Sequence, residues 1–242
     1  MSATGTNVKS FSSNTQVLAL SQAGTWTNQI TTNSSLVFDV SSLTSDQAAL
    51  VPEIASAWSI LNQSIGPLPS GATIIRTKEN SSVFNFSFDS FAKAKGYQVI
   101  VANDSDFTDK KFQQSIEAKG GASLILSPYA GRANRNCFRL LAQNGTVVTY
   151  NGLTIPSLQE SVTGGIEGPT TKLIFNNLRL RGFNFSSLLL NDRRQGQEAV
   201  EAAIQFLKVV KIENQIKKFA EEKVLEAISS SEAGDSVVLT IN

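Results

Sequence analysis

Between residues 72 and 150, short apolar runs alternate with segments whose apolar residues recur every three or four positions. Ala72–Arg76, Tyr97–Ala102 (YQVIVA), Ala122–Leu126 (ASLIL) and Gly145–Tyr150 (GTVVTY) read as strands. Val83–Lys95 places Val83, Phe84, Phe88, Phe91 and Ala92 on one side, and so reads as a helix. Phe107–Ala118 is a weaker helix, and Ala133–Ala142 a clearer one carrying Cys137, Phe138, Leu140 and Leu141. Strands linked through helices are forced parallel, because each crossover returns the chain to the same end of the sheet. The near-continuous apolar run of Tyr97–Ala102 is expected to be covered on both faces. The sequence therefore predicts an α/β chain built on an open, doubly wound parallel sheet.

The flanks extend this pattern. Val17–Leu20, Trp26–Ile30 and Leu36–Val40 read as short strands between polar turns. Thr44-Ser45-Asp46 then signals a helix start, with Thr44 or Ser45 as cap, ahead of Ala48, Leu50, Ile54, Ala55, Trp58 and Leu61. Gly66-Pro67-Leu68-Pro69-Ser70-Gly71 breaks the chain. After the Gly/Ser/Thr-rich stretch 151–169, Thr170–Leu178 reads as a helix and Arg179–Phe185 as a fifth strand. Gln195–Lys211 and Gln215–Ser230 read as amphipathic helices, and Val237–Ile241 as a last strand.

Composition removes several chemistries. The 242 residues contain no histidine and one cysteine, Cys137. That excludes the Ser-His and Cys-His dyads, an intrachain disulfide and a cysteine-built zinc site. No metal site is expected, and Cys137 reads as a small buried thiol. A net charge of +1 gives no electrostatic reason for DNA binding. Arg132, Arg135 and Arg139 form one basic stripe, read first as a solvated helix face, which leaves RNA or protein contact open. No apolar run approaches the ~20 residues of a transmembrane helix. Lys217, Lys218, Glu221, Glu222 and Lys223 read as an exposed helix face with i,i+4 pairs. Phe84, Phe86, Phe88 and Phe91 read as core. Sequons such as those at Asn33, Asn80 and Asn184 read as chance in an Asn- and Ser-rich chain without a secretory signal.

Four stretches, in order, carry a resemblance. They are Ala23-Gly24-Thr25-Trp26, the segment from Leu140 to Gly152 (LLAQNGTVVTYNG), the segment from Leu173 to Phe183 (LIFNNLRLRGF), and Val238-Leu239-Thr240. Together they resemble the medium-chain dehydrogenase/reductases, and within them the mitochondrial trans-2-enoyl thioester reductases. The resemblance implies a Rossmann-type sheet at 46–190, a remnant of the β-rich GroES-like catalytic domain at 1–45, and C-terminal helices with a closing strand at 191–242. It also implies a mitochondrial setting and subunits that pair through the sheet's edge strand, here Arg179–Phe185.

Three departures from the family are expected to decide function. Most of its N-terminal catalytic domain, with the tyrosine that protonates the reduced substrate, finds no counterpart in these residues. The family's N-S-G-V-G phosphate turn is replaced by Asn80-Ser81-Ser82-Val83-Phe84, preceded by Lys78 and Glu79. The glycines let backbone amides approach the pyrophosphate at a helix N-terminus, and Ser82 and Phe84 add side chains there. Finally, the basic residue for the NADPH 2′-phosphate is replaced by Ala102-Asn103-Asp104-Ser105-Asp106, where two acids repel a phosphate. Asn103 and Asp104 read as turn residues, although Asp104 is also of the type that holds a ribose 2′-hydroxyl in NAD enzymes. The resemblance so modified implies a pseudoenzyme with no catalytic residue and no cofactor, kept as an accessory subunit of a mitochondrial protein complex. An active NADPH-dependent reductase would instead use the same turn together with Asp104, Tyr129 and Gly131, although Tyr129 reads first as a packing residue.

Overall fold

The computed structural model describes residues 11–12, 14–20, 30–78, 81–127, 133–150, 170–212, 215–232 and 236–240. The chain forms two compact units. One comprises Met1–Ser59, Ser82–Phe84 and Phe185–Asn242; the other comprises Ile60–Ser81 and Asn85–Asn184.

The second unit is built on five parallel strands: β3 (Thr73–Thr77), β4 (Gln98–Ala102), β5 (Ala122–Ser127), β6 (Leu141–Tyr150) and β7 (Arg179–Phe183). Their order is β4-β3-β5-β6-β7. Every pairing is parallel. The chain starts at β3, steps out to β4, then returns past β3 to β5, so the order reverses between β3 and β5. This is the doubly wound α/β architecture that the alternation predicts. The crossovers are α2 (Ser82–Ala94), α3 (Lys110–Glu117), α4 (Ala133–Leu140) and α5 (Thr170–Phe175). Ile75, Ile125 and Val147 of the inner strands pack with Phe107, Ile116 and Phe138 into one buried cluster. Cys137 lies in it as a buried free thiol.

Two local features fix this sheet. Gly121 precedes β5 at φ +89°, and a Cβ there would lie 2.6 Å from the Ala142 backbone nitrogen. Only glycine allows both the dihedral and the approach. On β3, the nearly buried Arg76 donates to Asp89 of α2 through Nε and Nη2, at 2.7 and 2.6 Å. Its Nη1 also donates to the Thr77 carbonyl at 3.3 Å. This bidentate pair fastens a helix to an inner strand.

β4 corrects one expectation. Its apolar run reads as fully covered, yet β4 is the sheet's outer strand and Val101 is 40% exposed. Coverage depends on strand order, which a local run does not encode.

The first unit contains an antiparallel pair, β1 (Val17–Ala19) with β2 (Val37–Asp39). It also holds α1 (Ser45–Ser59), α6 (Phe185–Asn191) and α7 (Arg193–Val209). Thr44 and Gln47 cap α1 reciprocally: the Gln47 N–H donates to Thr44 Oγ1 and the Thr44 N–H donates to Gln47 Oε1. Helices α1 and α7 pack together, with Leu50, Val51 and Ile54 buried on one and Ala199, Val200 and Ala203 on the other. Residues 185–191, read in part as the end of a strand, form α6 instead, and Gly196 lets its Leu189 pack closely on α7.

The helix expected over Gln215–Ser230 is a second correction. Residues Ile216–Ala220 form β8, followed by α8 (Val224–Glu232) and β9 (Ser236–Thr240). β8 and β9 pair in parallel, Ile216 opposite Ser236. Ile216 and Phe219 at i,i+3 satisfy a helical period equally well, and the partner strand decides. The predicted i,i+4 charge pairs fall with that helix: Lys218 pairs with Asp46, and Lys223 with Glu226 at 3.3 Å.

Two substitutions test the second unit. Gly121→Ala is expected to destabilise by on the order of 2 kcal/mol or more. Asp89→Asn strips a largely buried guanidinium of its counter-charge. Because Asp89 itself is 37% exposed, the expected cost is about 1–3 kcal/mol. Both are read from urea unfolding midpoints at constant slope.

Candidate nucleotide site

In a doubly wound sheet, ligands bind outside the carboxyl ends of the strands where their order reverses. The turn leaving β3 is therefore the first place to look. Glu79 and Asn80 lie outside the described residues. Ser81 begins the helix: its carbonyl accepts the Asn85 N–H at 3.0 Å. Ser82, Val83 and Phe84 form the first turn of α2.

The first amides of any helix lack intrahelical acceptors, and an anion at that end is favoured for this reason. Here the acceptor comes from the chain itself. The Val83 N–H donates to Ser236 Oγ at 3.0 Å. Ser236 Oγ in turn donates to Glu53 Oε2 of α1 at 3.2 Å. The carboxylate can only accept, so the hydroxyl proton points to Glu53 and a lone pair faces the amide. Ser82 Oγ donates to the Gln215 carbonyl at 2.5 Å and accepts the Ser236 N–H at 3.4 Å. Ser236 is 1% exposed. Phe84 is 6% exposed, so its ring is packed inside and does not stand over the turn.

The other predicted positions lie in the second unit. After β4, Asn103 opens a short 3₁₀ turn, Asp104–Thr108. The Asn103 N–H and its Nδ2 both donate to Asp106 Oδ2, at 2.7 and 3.2 Å. Asp106 is therefore occupied in shaping the turn. The Asp104 backbone belongs to the same turn, and its side chain lies outside the described set. Tyr129 and Gly131, with the rest of 128–132, lie outside the described residues, as does the Arg132 end of the basic stripe. Asn144 stands at φ +63°, a left-handed conformation that asparagine tolerates.

Sequence reasoning missed Ser236, Glu53 and Gln215. No local signal points to them, since Val83 and Ser236 are 153 positions apart. Among the described residues, no group of three or more His, Cys, Asp or Glu could hold a metal. None of the helices described is long and apolar enough to cross a membrane. An open cavity of about 750 Å³ in the first unit is lined by Asp39, Trp58, Glu198, Glu201 and Lys208, among others, and by none of the predicted site residues. The Ser41 backbone N–H, and after it the Ser41 side chain, hold the Asp39 carboxyl below its ordinary value.

No protein-family model matches the chain. Two curated proteins do, both named mitochondrial enoyl-[acyl-carrier-protein] reductase. The one from Dictyostelium discoideum is 30% identical over 151 residues, covering 53% of this chain and 40% of its own length. The one from Eremothecium gossypii is 25% identical over 183 residues, covering 69% and 46%. The chain is a relative of the enoyl thioester reductases. The chain spans less than half the length of these curated relatives. The fold agrees. The Etr1p/NADP/crotonyl-CoA complex superposes with a TM-score of 0.76 at 18% identity, over 99% of this chain and 77% of that one.

Asp106→Ala is expected to loosen the 103–109 turn and to destabilise by about 1 kcal/mol, the scale of a lost helix cap. Thermal unfolding reads this, and an unchanged midpoint would count against the role assigned to Asp106.

Proposed function

We propose that this enoyl-reductase relative is catalytically silent, a pseudoenzyme that binds no nicotinamide nucleotide and serves as an accessory subunit of a larger mitochondrial assembly. The observation that carries the reading is the occupied helix N-terminus. A diphosphate oxygen taking the place of Ser236 Oγ would stand 3.2 Å from Glu53 Oε2 with no proton between them. That repulsion is on the order of 5 kcal/mol at an effective dielectric of about 20, against a diphosphate's ordinary attraction to such a site. Ser82 reinforces the point, because its hydroxyl is committed to Gln215 and Ser236. The residues here do not suit the phosphates of NADPH.

The accessory role draws on exposed apolar side chains. Ile174 and Phe175 of α5 are 69% and 76% exposed just before the outer strand β7. Adjacent exposed apolar groups of this size mark protein contact. An unpaired outer strand also accepts another strand, so pairing of two copies through β7 belongs to the same proposal. The mitochondrial setting follows the names of the two curated relatives.

A second reading has its own support: both relatives are named as reductases, and strand β3 is followed in the chain by helix α2, as such a site requires. In that reading the chain reduces a 2-enoyl thioester with NADPH. Calorimetric titration separates the two. The silent reading expects no NADPH or NADH binding tighter than about 100 µM, or roughly 5.5 kcal/mol; tighter binding overturns it. Affinity purification of the tagged native protein is expected to bring down stoichiometric protein partners. A lone monomer on sizing would reject the accessory role.

A further inference from the structure

Ser82 is more than an obstacle in a former glycine turn. Its Oγ and its neighbour's amide hold two separate points of the C-terminal strands. One is Gln215, immediately before β8; the other is Ser236, the first residue of β9. These points are adjacent in the paired strands, since Ile216 lies opposite Ser236. Glu53 closes the set from α1.

We propose that Ser82, Val83, Ser236 and Glu53 form an internal clamp that fastens the β8–β9 pair within the first unit, a structural role taken over by the turn that elsewhere cradles phosphates.

The pair needs such a fastening. Two strands alone are marginal in water, and a parallel pair normally survives only when covered. β8 buries none of its five side chains fully: Ile216 and Phe219 are half-buried and Lys217, Lys218 and Ala220 exposed. Hydrophobic burial is thus thin on this strand, while the clamp's hydrogen bonds are sheltered at a buried serine. Sheltered bonds of this kind resist opening because breaking them leaves polar groups stranded away from water. Glycine at position 82 would supply neither the donor to Gln215 nor the acceptor for the Ser236 amide. The departure from the family's turn is therefore a gain of two bonds as well as a loss of access.

The clamp shares its turn with the proposed function but does not depend on the failure to bind nucleotide. Hydrogen–deuterium exchange on the full chain tests it. Ser82→Gly and Ser236→Ala are each expected to speed amide exchange in 216–220 and 236–240 by about tenfold or more, while β3 and β5 stay within about twofold. Ser82→Thr keeps the hydroxyl and is expected to retain protection of both strands. If Ser236→Ala does not fold, Glu53→Gln, which leaves every hydroxyl in place, is expected to loosen β9 selectively. Unchanged protection of β8 and β9 in Ser82→Gly overturns the clamp, and so does an equal loss across all segments. NADPH titration of the same Ser82→Gly protein reads only the preceding proposal, so the two ideas fail separately.

Discussion

A helix that begins away from water must find acceptors for its first amides. Each N–H left stranded costs free energy on the scale of a lost hydrogen bond. In this chain that requirement, at the start of α2, is met by a serine hydroxyl brought from the last strand. Dinucleotide enzymes meet the same requirement with a phosphate, delivered from solution and free to leave. The two solutions compete for one amide. With a hydroxyl backed by a carboxylate on the Val83 amide, that amide already has its acceptor.

The scaffold rests on other interactions. The sheet keeps its parallel pairing and its reversal of strand order, the inner strands remain buried, and Arg76 with Asp89 secures α2 to β3. Fold and site respond to different forces. The sheet depends on apolar area distributed over many side chains, so it tolerates drift at any one of them. A phosphate site depends on a few amides and the space before them, so a single side chain bears on it directly.

What could be read from the sequence follows the same division. The inner strands were legible because both their faces are covered, which leaves consecutive apolar residues at the centre of ASLIL and GTVVTY. The helices α1 and α7 were legible from periodic alanine and leucine positions. Strand order was not, and so β4 looked like an inner strand. β8 was misread because Ile216 and Phe219 fit either period and the partner that settles the matter begins twenty positions later. The altered turn at Ser82–Phe84 was visible as a departure, read as side chains added at Ser82 and Phe84. The ring is packed away; the amide is capped by Ser236. A bond across 153 positions has no signature in either local neighbourhood.

The two units also differ in how soon they can form. All five strands of the parallel sheet lie between residues 73 and 183, so each can find its neighbour while later residues are still being synthesised. The first unit draws residues from both sides of that sheet in sequence, and its closure waits for Ser236. Distant contacts form late because a long loop must be closed before they stabilise anything. During that interval the nascent chain carries a formed sheet and an incomplete first unit, a state in which apolar surface is open to chaperones and to misassembly.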